Sequence, residues 1–171
     1  SVINNFIRVD PDNTTTLLIN YAEFGNGAYT SLAMMVAEEM DIDWNTIMLE
    51  EAPTEPKYYN PLFKEYLTAG SVTTLAAWMP MRTAGAQARD LFIRAAALKW
   101  DADIKALDTQ FGKVIERNGG RSSTYGDLLT TIEKENLKAL SGVNLKNPKS
   151  FKLIGTKTKR IEGTEKVNGS A

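Results

Sequence analysis

The order of apolar and polar positions along the chain predicts short strands alternating with helices. Residues 5–20 are expected to form a hairpin, because an apolar run is followed by turn-forming residues and then by β-branched residues. Apolar residues then recur at helical spacing up to Met40, where the first helix is expected to end, and Thr30 or Ser31 is its expected N-cap. A short strand at residues 47–49 is expected to follow.

The middle of the chain combines an aromatic loop with a long helix. Residues 52–69 hold three of the six prolines and several aromatic residues, which predicts an ordered loop whose rings dock on a surface. From Ser71 to Trp100 the pattern is helical and rich in alanine. The small residues indicate a buried helix that its neighbours approach closely, and Pro80 predicts a kink or a restart within it.

After this helix the pattern becomes mixed again. Residues 104–117 predict a second hairpin, in which residues 111–115 form one strand. Residues 118–120 contain two glycines after an asparagine and predict a turn. Ser123 or Thr124 is the expected N-cap of the helix that follows.

The last part of the chain differs in character. Residues 138–171 are rich in Lys, Asn, Gly and Ser and show no hydrophobic period. Such a segment would be disordered in a free domain and would be a strap toward the next domain in a larger protein. We therefore divide the chain into a domain segment, residues 1–136, and an extended strap or linker, residues 137–171. The predicted fold class is α+β, with small β-hairpins and short strands packed on two or three helices, one of them long and Ala-rich.

Composition and charge narrow the classes of function. With 171 residues, 43% of them hydrophobic and 24% charged, the chain can build a globular core. Its formal net charge of −1 provides no attraction to nucleic acid. The absence of cysteine excludes an iron–sulfur cluster, a disulfide or a zinc–thiolate site held by this chain, and the absence of histidine removes the commonest general base. No apolar run reaches the roughly 20 residues that a membrane span needs.

Two segments could bind an anionic ligand. One is the Gly-Asn-Gly sequence of residues 25–27, and the other is residues 68–74, at the start of the long helix. A helix N-terminus offers unpaired amides and a partial positive charge, and small residues allow a phosphate to come close. Alone, each pattern more often marks an ordinary turn or a helix cap.

Other charged residues have structural interpretations. Glu38 and Glu39 point about 100° apart on a helix, which disfavours a catalytic carboxylate pair and favours a structural role. Arg82 and Arg89 share one helix face and are expected to form salt bridges. The basic residues between positions 152 and 166 lack the density and the aromatic neighbours of a nucleic-acid patch, so we expect a solvated strap.

Several stretches resemble one enzyme family and keep its order and spacing. Residues 23–30, E-F-G-N-G-A-Y-T, resemble its E-M-G-Q-G-x-x-T segment, and residues 37–44 are similar to its A-E-E-L-x-x-x-W. Residues 68–73, T-A-G-S-V-T, resemble its T-G-G-S-x-S. Residues 78–100 and 151–171 are similar to its W-x-x-L-R-x-A-G-A-x-A-R and F-x-L-I-G … R-x-D … K-V-x-G-x-A stretches. The family is the xanthine dehydrogenase and aldehyde oxidase superfamily, in particular the molybdopterin-binding large subunits of the isoquinoline oxidoreductase type.

The resemblance implies the cofactor-binding portion of a molybdenum hydroxylase, which hydroxylates an aldehyde or an N-heterocycle with oxygen from water. The implied cofactor is molybdopterin cytosine dinucleotide, shared with the rest of the large subunit. Two sets of cofactor-binding residues follow from position. The set facing the pterin and metal end is Gly25, Asn26 and Gly27, and the set holding phosphate is Gly70, Ser71, Val72 and Thr73.

The same resemblance implies that the catalytic residues and several partners lie outside this chain. The family's substrate-activating glutamate lies far toward the C-terminus of the large subunit, so neither a catalytic residue nor a metal ligand is expected here, and the chain alone is expected to be inactive. Implied partners are the rest of the molybdenum subunit, a two-iron two-sulfur small subunit and, in exported members, a cytochrome c. Exported members are periplasmic, so the resemblance implies a periplasmic location. The alternative location is the cytoplasm.

Three positions depart from the family pattern, and one of them, Asn26, together with the missing remainder of the subunit favours an alternative function. Asn26 stands where glutamine is usual, with a side chain shorter by one methylene, Ala69 replaces a glycine and Thr73 replaces a serine. The alternative is a non-catalytic interaction or scaffold domain of the same fold that has lost cofactor binding. A third interpretation, an unrelated domain with a chance Gly-x-Gly, is disfavoured by the length of the match.

Overall fold

The computed structural model describes residues 1–170 and contains two small sheets and four helices. The strands are β1 (Ile7–Val9), β2 (Thr15–Ile19), β3 (Ile47–Glu51), β4 (Leu107–Gln110), β5 (Lys113–Glu116) and β6 (Ser122–Thr124). The helices are α1 (Ala28–Met40), α2 (Thr73–Trp100), α3 (Tyr125–Lys134) and α4 (Gly163–Asn168). The predicted α+β class is therefore confirmed.

The first sheet has the order β1-β2-β3 and packs beside α1. The predicted hairpin is confirmed, since β1 pairs antiparallel with β2 and Ile7 lies opposite Leu17. β3 then pairs parallel with β2, and Thr15 lies opposite Ile47. Because parallel strands need a crossover connection, α1 is the element that carries the chain back.

The second sheet, of order β4-β5-β6, corrects one prediction. Residues 111–115 were expected to form a strand, but Phe111 and Gly112 make the turn between β4 and β5, with φ of 47° and 70°. A two-residue hairpin loop that matches the twist of its strands needs positive φ at both positions, so the strand begins only at Lys113. The predicted cap at Thr124 is confirmed, as its side chain accepts a hydrogen bond from the Asp127 amide at 3.0 Å.

Helices α1 and α2 form the centre of the molecule. The alanines of α2 are buried against α1 and α3, as the small-residue pattern predicts. Gly85 marks the closest approach, because a Cβ atom there would lie 2.8 Å from the Glu39 Cβ and 2.9 Å from the Val36 carbonyl oxygen. The helix is continuous through Pro80, so the proposed restart does not occur.

Both long helices lead into a strand through the same kind of connection. Asp41 ends α1 in the left-handed conformation, and Asp43 then accepts the Asn45 amide to begin a short 3₁₀ turn before β3. After α2, Asp101 and Asp103 repeat this arrangement before β4. Asp and Asn tolerate positive φ and cap short turns, so an Asp-x-Asp sequence suits both junctions.

The loop between β3 and α2 docks only in part. Tyr58 is buried, and its hydroxyl donates to the Asn5 carbonyl at 2.9 Å. The rings of Tyr59, Phe63 and Tyr66 remain exposed, so the prediction that the aromatic residues of this loop dock on a surface is wrong for these three.

Residues 138–162 form an extended strap across α1 and α2. Arg82, Arg89 and Arg94 donate to strap carbonyls. The Glu38 carboxylate accepts the amides of residues 152, 153 and 154 at 2.7–3.1 Å. Burial alone would raise the pKa of Glu38, but these hydrogen bonds and the Lys146 ammonium hold the pKa below its usual value. The division at residue 137 stays a prediction, and Ala171 lies outside the described residues.

Glu39 is the second buried carboxylate of α1. It pairs with the Arg82 guanidinium at 2.8 Å, and both side chains are almost fully buried. The guanidinium also lies 4.8 Å from the Trp78 ring and 5.1 Å from the Phe151 ring. The expectation that one of the two glutamates has a structural role is confirmed, as are the predicted salt bridges of Arg82 and Arg89. No helix among residues 1–170 combines the length and apolar character needed to cross a membrane.

Candidate functional site

The two segments expected to bind an anion meet at one cleft of about 420 Å³. Phe24, Asn26 and Ala28 form one wall, and residues 68–74 form most of the other. The walls are tied together where the Thr68 hydroxyl accepts the Ala22 amide at 2.8 Å. Of the seven predicted site residues, those that line the cleft are Asn26, Gly70, Ser71 and Thr73, whereas Gly25, Gly27 and Val72 do not line it.

The start of α2 presents free donors to this cleft. Gly70 and Ser71 both have positive φ, of 67° and 57°, and turn the chain into the helix. The N-cap Val72 makes no side-chain capping bond, and within residues 1–170 the amides of residues 73–75 have no protein acceptor. The hydroxyls of Ser71, Thr73 and Thr74 lie in the same wall. Amides and hydroxyls at a helix N-terminus form a site suited to phosphate.

The start of α1 is different, because the protein already uses its amides. The Glu23 carboxylate accepts the amides of Gly25 at 2.7 Å and of Gly27 and Tyr29 at 3.2 Å each. The Asn26 side chain accepts the Ala28 amide at 3.1 Å and donates to the Ala22 carbonyl at 3.3 Å. The structure therefore distinguishes the two segments: α2 offers free anion donors, and the loop before α1 is a rigid wall.

Glu23 also explains why α1 begins earlier than expected. The helix starts at Ala28 after Gly27, which has φ of 75°, so the predicted N-cap at Thr30 or Ser31 is wrong. A carboxylate outside the helix satisfies the first amides, so no hydroxyl cap is needed. The sequence signal was a glutamate two residues before a Gly-x-Gly. Of the other residues that line the cleft, Thr68, Ala69 and Thr74 belong to the predicted segment 68–74, whereas Phe24 and Ala28 were not among the predicted site residues.

The charge of Glu23 predicts a pH dependence of this loop. Burial alone would raise the pKa of Glu23, but the three amides and the Lys166 ammonium outweigh it, so the pKa lies below its ordinary value of 4.5. The carboxylate therefore stabilises the loop fully above about pH 4.5, and this contribution is lost as the pH falls through the lowered value. We expect the amide resonances of Gly25, Gly27 and Tyr29 to titrate together below pH 4.5 in NMR spectra. Glu23→Gln should abolish this titration; amide shifts that titrate equally in both proteins would contradict the assignment.

A second cleft, of about 570 Å³, adjoins the first and shares Phe24 and Thr68 with it. The Phe24 ring is 70% exposed and stands between the two. Glu51, Thr54 and Tyr66 line its far side. The two clefts together place the donor groups at the start of α2 next to a wider surface that bears aromatic rings.

Comparison with known proteins shows which family the chain resembles. A family profile described as the molybdopterin cofactor-binding domain matches residues 4–168. The beta subunit of isoquinoline 1-oxidoreductase from Brevundimonas diminuta is 38% identical over 132 residues, which are 76% of this chain and 17% of that protein. A nicotinate dehydrogenase subunit from Pseudomonas putida is 27% identical over 96% of this chain and 13% of its own length.

A solved structure shares the fold. Quinoline 2-oxidoreductase from Pseudomonas putida 86 superposes with a TM-score of 0.60 at 15% identity, over 81% of this chain and 17% of that chain. The chain thus spans less than a fifth of the length of these three proteins.

Proposed function

This chain belongs to the family of molybdopterin cofactor-binding domains, and from that membership we propose that its cleft binds the phosphate part of a molybdenum pterin cofactor. The observation that carries the proposal is the start of α2, where residues 70–74 offer amides and hydroxyls that have no acceptor within residues 1–170. Their donor chemistry fits a phosphate, because every group in this wall is a neutral donor or a small residue.

The role of this chain is to bind and orient. When bound, the cofactor supplies the redox chemistry, which the protein's own side chains lack. Gly70 and Ala69 allow close approach of the backbone, and Ser71 and Thr73 add hydroxyl donors. Glu23 holds the opposite wall in place and keeps its amides occupied, so the anion is directed to α2.

We propose further that the whole enzyme is a hydroxylase of N-heterocycles or aldehydes that uses oxygen from water. Support comes from the relatives, whose names include isoquinoline 1-oxidoreductase and nicotinate dehydrogenase. The cytosine dinucleotide form of the cofactor, an electron-accepting two-iron two-sulfur subunit, a cytochrome c and a periplasmic location belong to the same proposal. The rest of the molybdenum subunit completes the site, since the matched relatives are several times longer.

One observation favours the alternative of a scaffold domain without cofactor. Both polar atoms of the Asn26 amide are bonded within the loop, to Ala22 and Ala28. An amide so engaged has less capacity to contact a ligand. The free donors of α2 support the cofactor-binding function more strongly, because nothing in a scaffold role requires them.

The first test is metal and nucleotide analysis of the purified native complex that contains this chain. Cofactor binding predicts molybdenum together with a cytosine nucleotide released on acid treatment. A fully assembled complex that yields neither would leave the scaffold function as the better account. Molybdenum with a different nucleotide, or with none, would retain the function and reject only the cytosine form.

Ser71→Asp tests the phosphate position directly. Aspartate tolerates the left-handed conformation of this residue, so the fold should be preserved, but its carboxylate would repel a phosphate at α2. We expect at least a tenfold loss of bound molybdenum and nucleotide per complex, since about 1.4 kcal/mol changes an equilibrium tenfold. Ser141→Asp, the same change at an exposed position of the strap, is the matched control and should retain both. Full cofactor content in Ser71→Asp would place the phosphate elsewhere.

A further inference from the structure

We propose that Arg160 is a positioning residue, which holds the loop of residues 25–27 against α1 from the outside and so fixes one wall of the cleft. The inference rests on the proposed function in one respect, namely that the cleft binds phosphate. Its structural basis is a set of contacts that link residues 160–166 to Gly25 in this loop, to Thr30 in α1 and to Glu23 before the loop.

The direct contact is between the Arg160 guanidinium and the loop backbone. One of its terminal nitrogens donates to the Gly25 carbonyl at 2.8 Å. The same nitrogen lies 3.6 Å from the point where a Cβ of residue 27 would stand. The guanidinium thus bonds the carbonyl of Gly25 and lies beside Gly27, and Asn26 between them lines the cleft.

Residues 160–166 are anchored to α1, so Arg160 has a fixed base. The Thr30 hydroxyl accepts the Ile161 amide at 3.1 Å and donates to the Glu162 carboxylate at 3.1 Å. The Glu162 side chain is largely buried, and the Arg160 guanidinium lies 3.6 Å from its other oxygen. That oxygen makes no hydrogen bond within residues 1–170, so nearby cations balance its negative charge.

Lys166 supplies the second cation near the loop and contacts both Glu23 and Glu162. Its ammonium lies 3.4 Å from Glu23 and 3.6 Å from Glu162. The charges of two carboxylates, Glu23 and Glu162, and of two cations, Arg160 and Lys166, therefore balance beside the loop. Glu23 lies on the inner side of the loop and Arg160 on its outer side. Both glycines of the loop have positive φ and high intrinsic freedom, so fixing the Gly25 carbonyl from outside reduces the entropy lost when a ligand binds.

The test compares Arg160→Gln with Arg160→Lys, which keeps the charge, and with Lys159→Gln, which removes the adjacent exposed charge. In the full chain without ligand, hydrogen exchange of the Gly25, Gly27 and Tyr29 amides should become about fivefold faster in Arg160→Gln, the effect of losing one partly exposed charged hydrogen bond. Lys159→Gln should leave the exchange unchanged, and Arg160→Lys should recover most of the protection. Unchanged exchange in Arg160→Gln overturns the proposal.

Binding of inorganic pyrophosphate to the same proteins, measured by calorimetry, extends the test to the cleft. Arg160→Gln should bind about fivefold more weakly while its Tm matches that of Lys159→Gln, which a merely structural role would not produce. If the unmodified chain binds pyrophosphate and Arg160→Gln binds it equally well, the positioning role is wrong and the phosphate site stands. If the unmodified chain binds no pyrophosphate, the proposed function fails, and hydrogen exchange still decides the role of Arg160.

Discussion

Glu39→Gln is expected to lower the free energy of unfolding by about 3–5 kcal/mol, far more than the loss of an exposed ion pair. The change is nearly isosteric, so the loss comes from the missing charge and from one lost acceptor, because the two carboxylate oxygens accept from the Arg82 guanidinium and from the Lys146 amide. Glu39 and Arg82 are both almost fully buried, and the variant leaves the guanidinium without a counter-charge between the rings of Trp78 and Phe151. Arg89 lies 3.9 Å from the same carboxylate and is itself a cation, so it cannot replace the lost negative charge; its remaining partner is Asp41.

Chemical denaturation of the two proteins measures this effect. Glu55→Gln is the matched control, because Glu55 pairs with Lys57 at 2.9 Å on the exposed surface, and its midpoint should hardly change. The double variant Glu39→Met with Arg82→Met should recover a large part of the loss, since no buried charge then remains unpaired. An unchanged midpoint for Glu39→Gln would show that this ion pair does not stabilise the fold.

Gly85→Ala is expected to destabilise the protein by about 3 kcal/mol, although alanine is the better helix former by about 1 kcal/mol. The added Cβ would lie 2.8 Å from the Glu39 Cβ and 2.9 Å from the Val36 carbonyl oxygen. The carbonyl belongs to the α1 backbone and the Glu39 side chain is held by its ion pair, so α1 and α2 must separate. We expect a destabilisation at the upper end of the range for overpacked cores, because neither the Val36 carbonyl nor the Glu39 Cβ can rotate away from the added methyl group.

The matched control for this substitution is Gly142→Ala. A Cβ at residue 142 would meet no atom within 4 Å, and its φ is ordinary. Thermal unfolding should therefore show a large fall in Tm for Gly85→Ala and none for Gly142→Ala. Equal Tm values for the two variants would mean that the helices adjust their spacing freely.

Local sequence patterns predicted the elements of the fold well. The turn residues at 10–13 predicted the first hairpin, and Thr124 was identified as a cap because its hydroxyl acts on an amide only three residues away. The start of α1 was misplaced because its amides are satisfied by Glu23, outside the helix. The strand at 111–115 was too long because residue types alone do not reveal that Phe111 adopts positive φ.

The candidate site was predictable only in part. Small residues followed by hydroxyls at a helix start identified residues 68–74, and the structure does place free donors there. That the loop of residues 25–27 faces this segment depends on the Ala22–Thr68 hydrogen bond, across 46 positions of sequence. The amides that bond the Glu38 carboxylate and the Gly25 carbonyl that bonds Arg160 lie more than 110 residues away from these side chains, and no periodicity or cap signal spans such a distance.

Because the strap contacts residues that are synthesised much earlier, it also determines when this part of the fold can form during translation. Glu38 emerges early, but the amides of residues 152–154 that surround its carboxylate are made more than 110 residues later. At ribosomal rates of roughly 5–20 residues per second, this delay is on the order of 6–20 s. During it, α1 and α2 can pair only with an ionised carboxylate left in water, so the nascent chain should stay open along this face until residues 152–154 have been made.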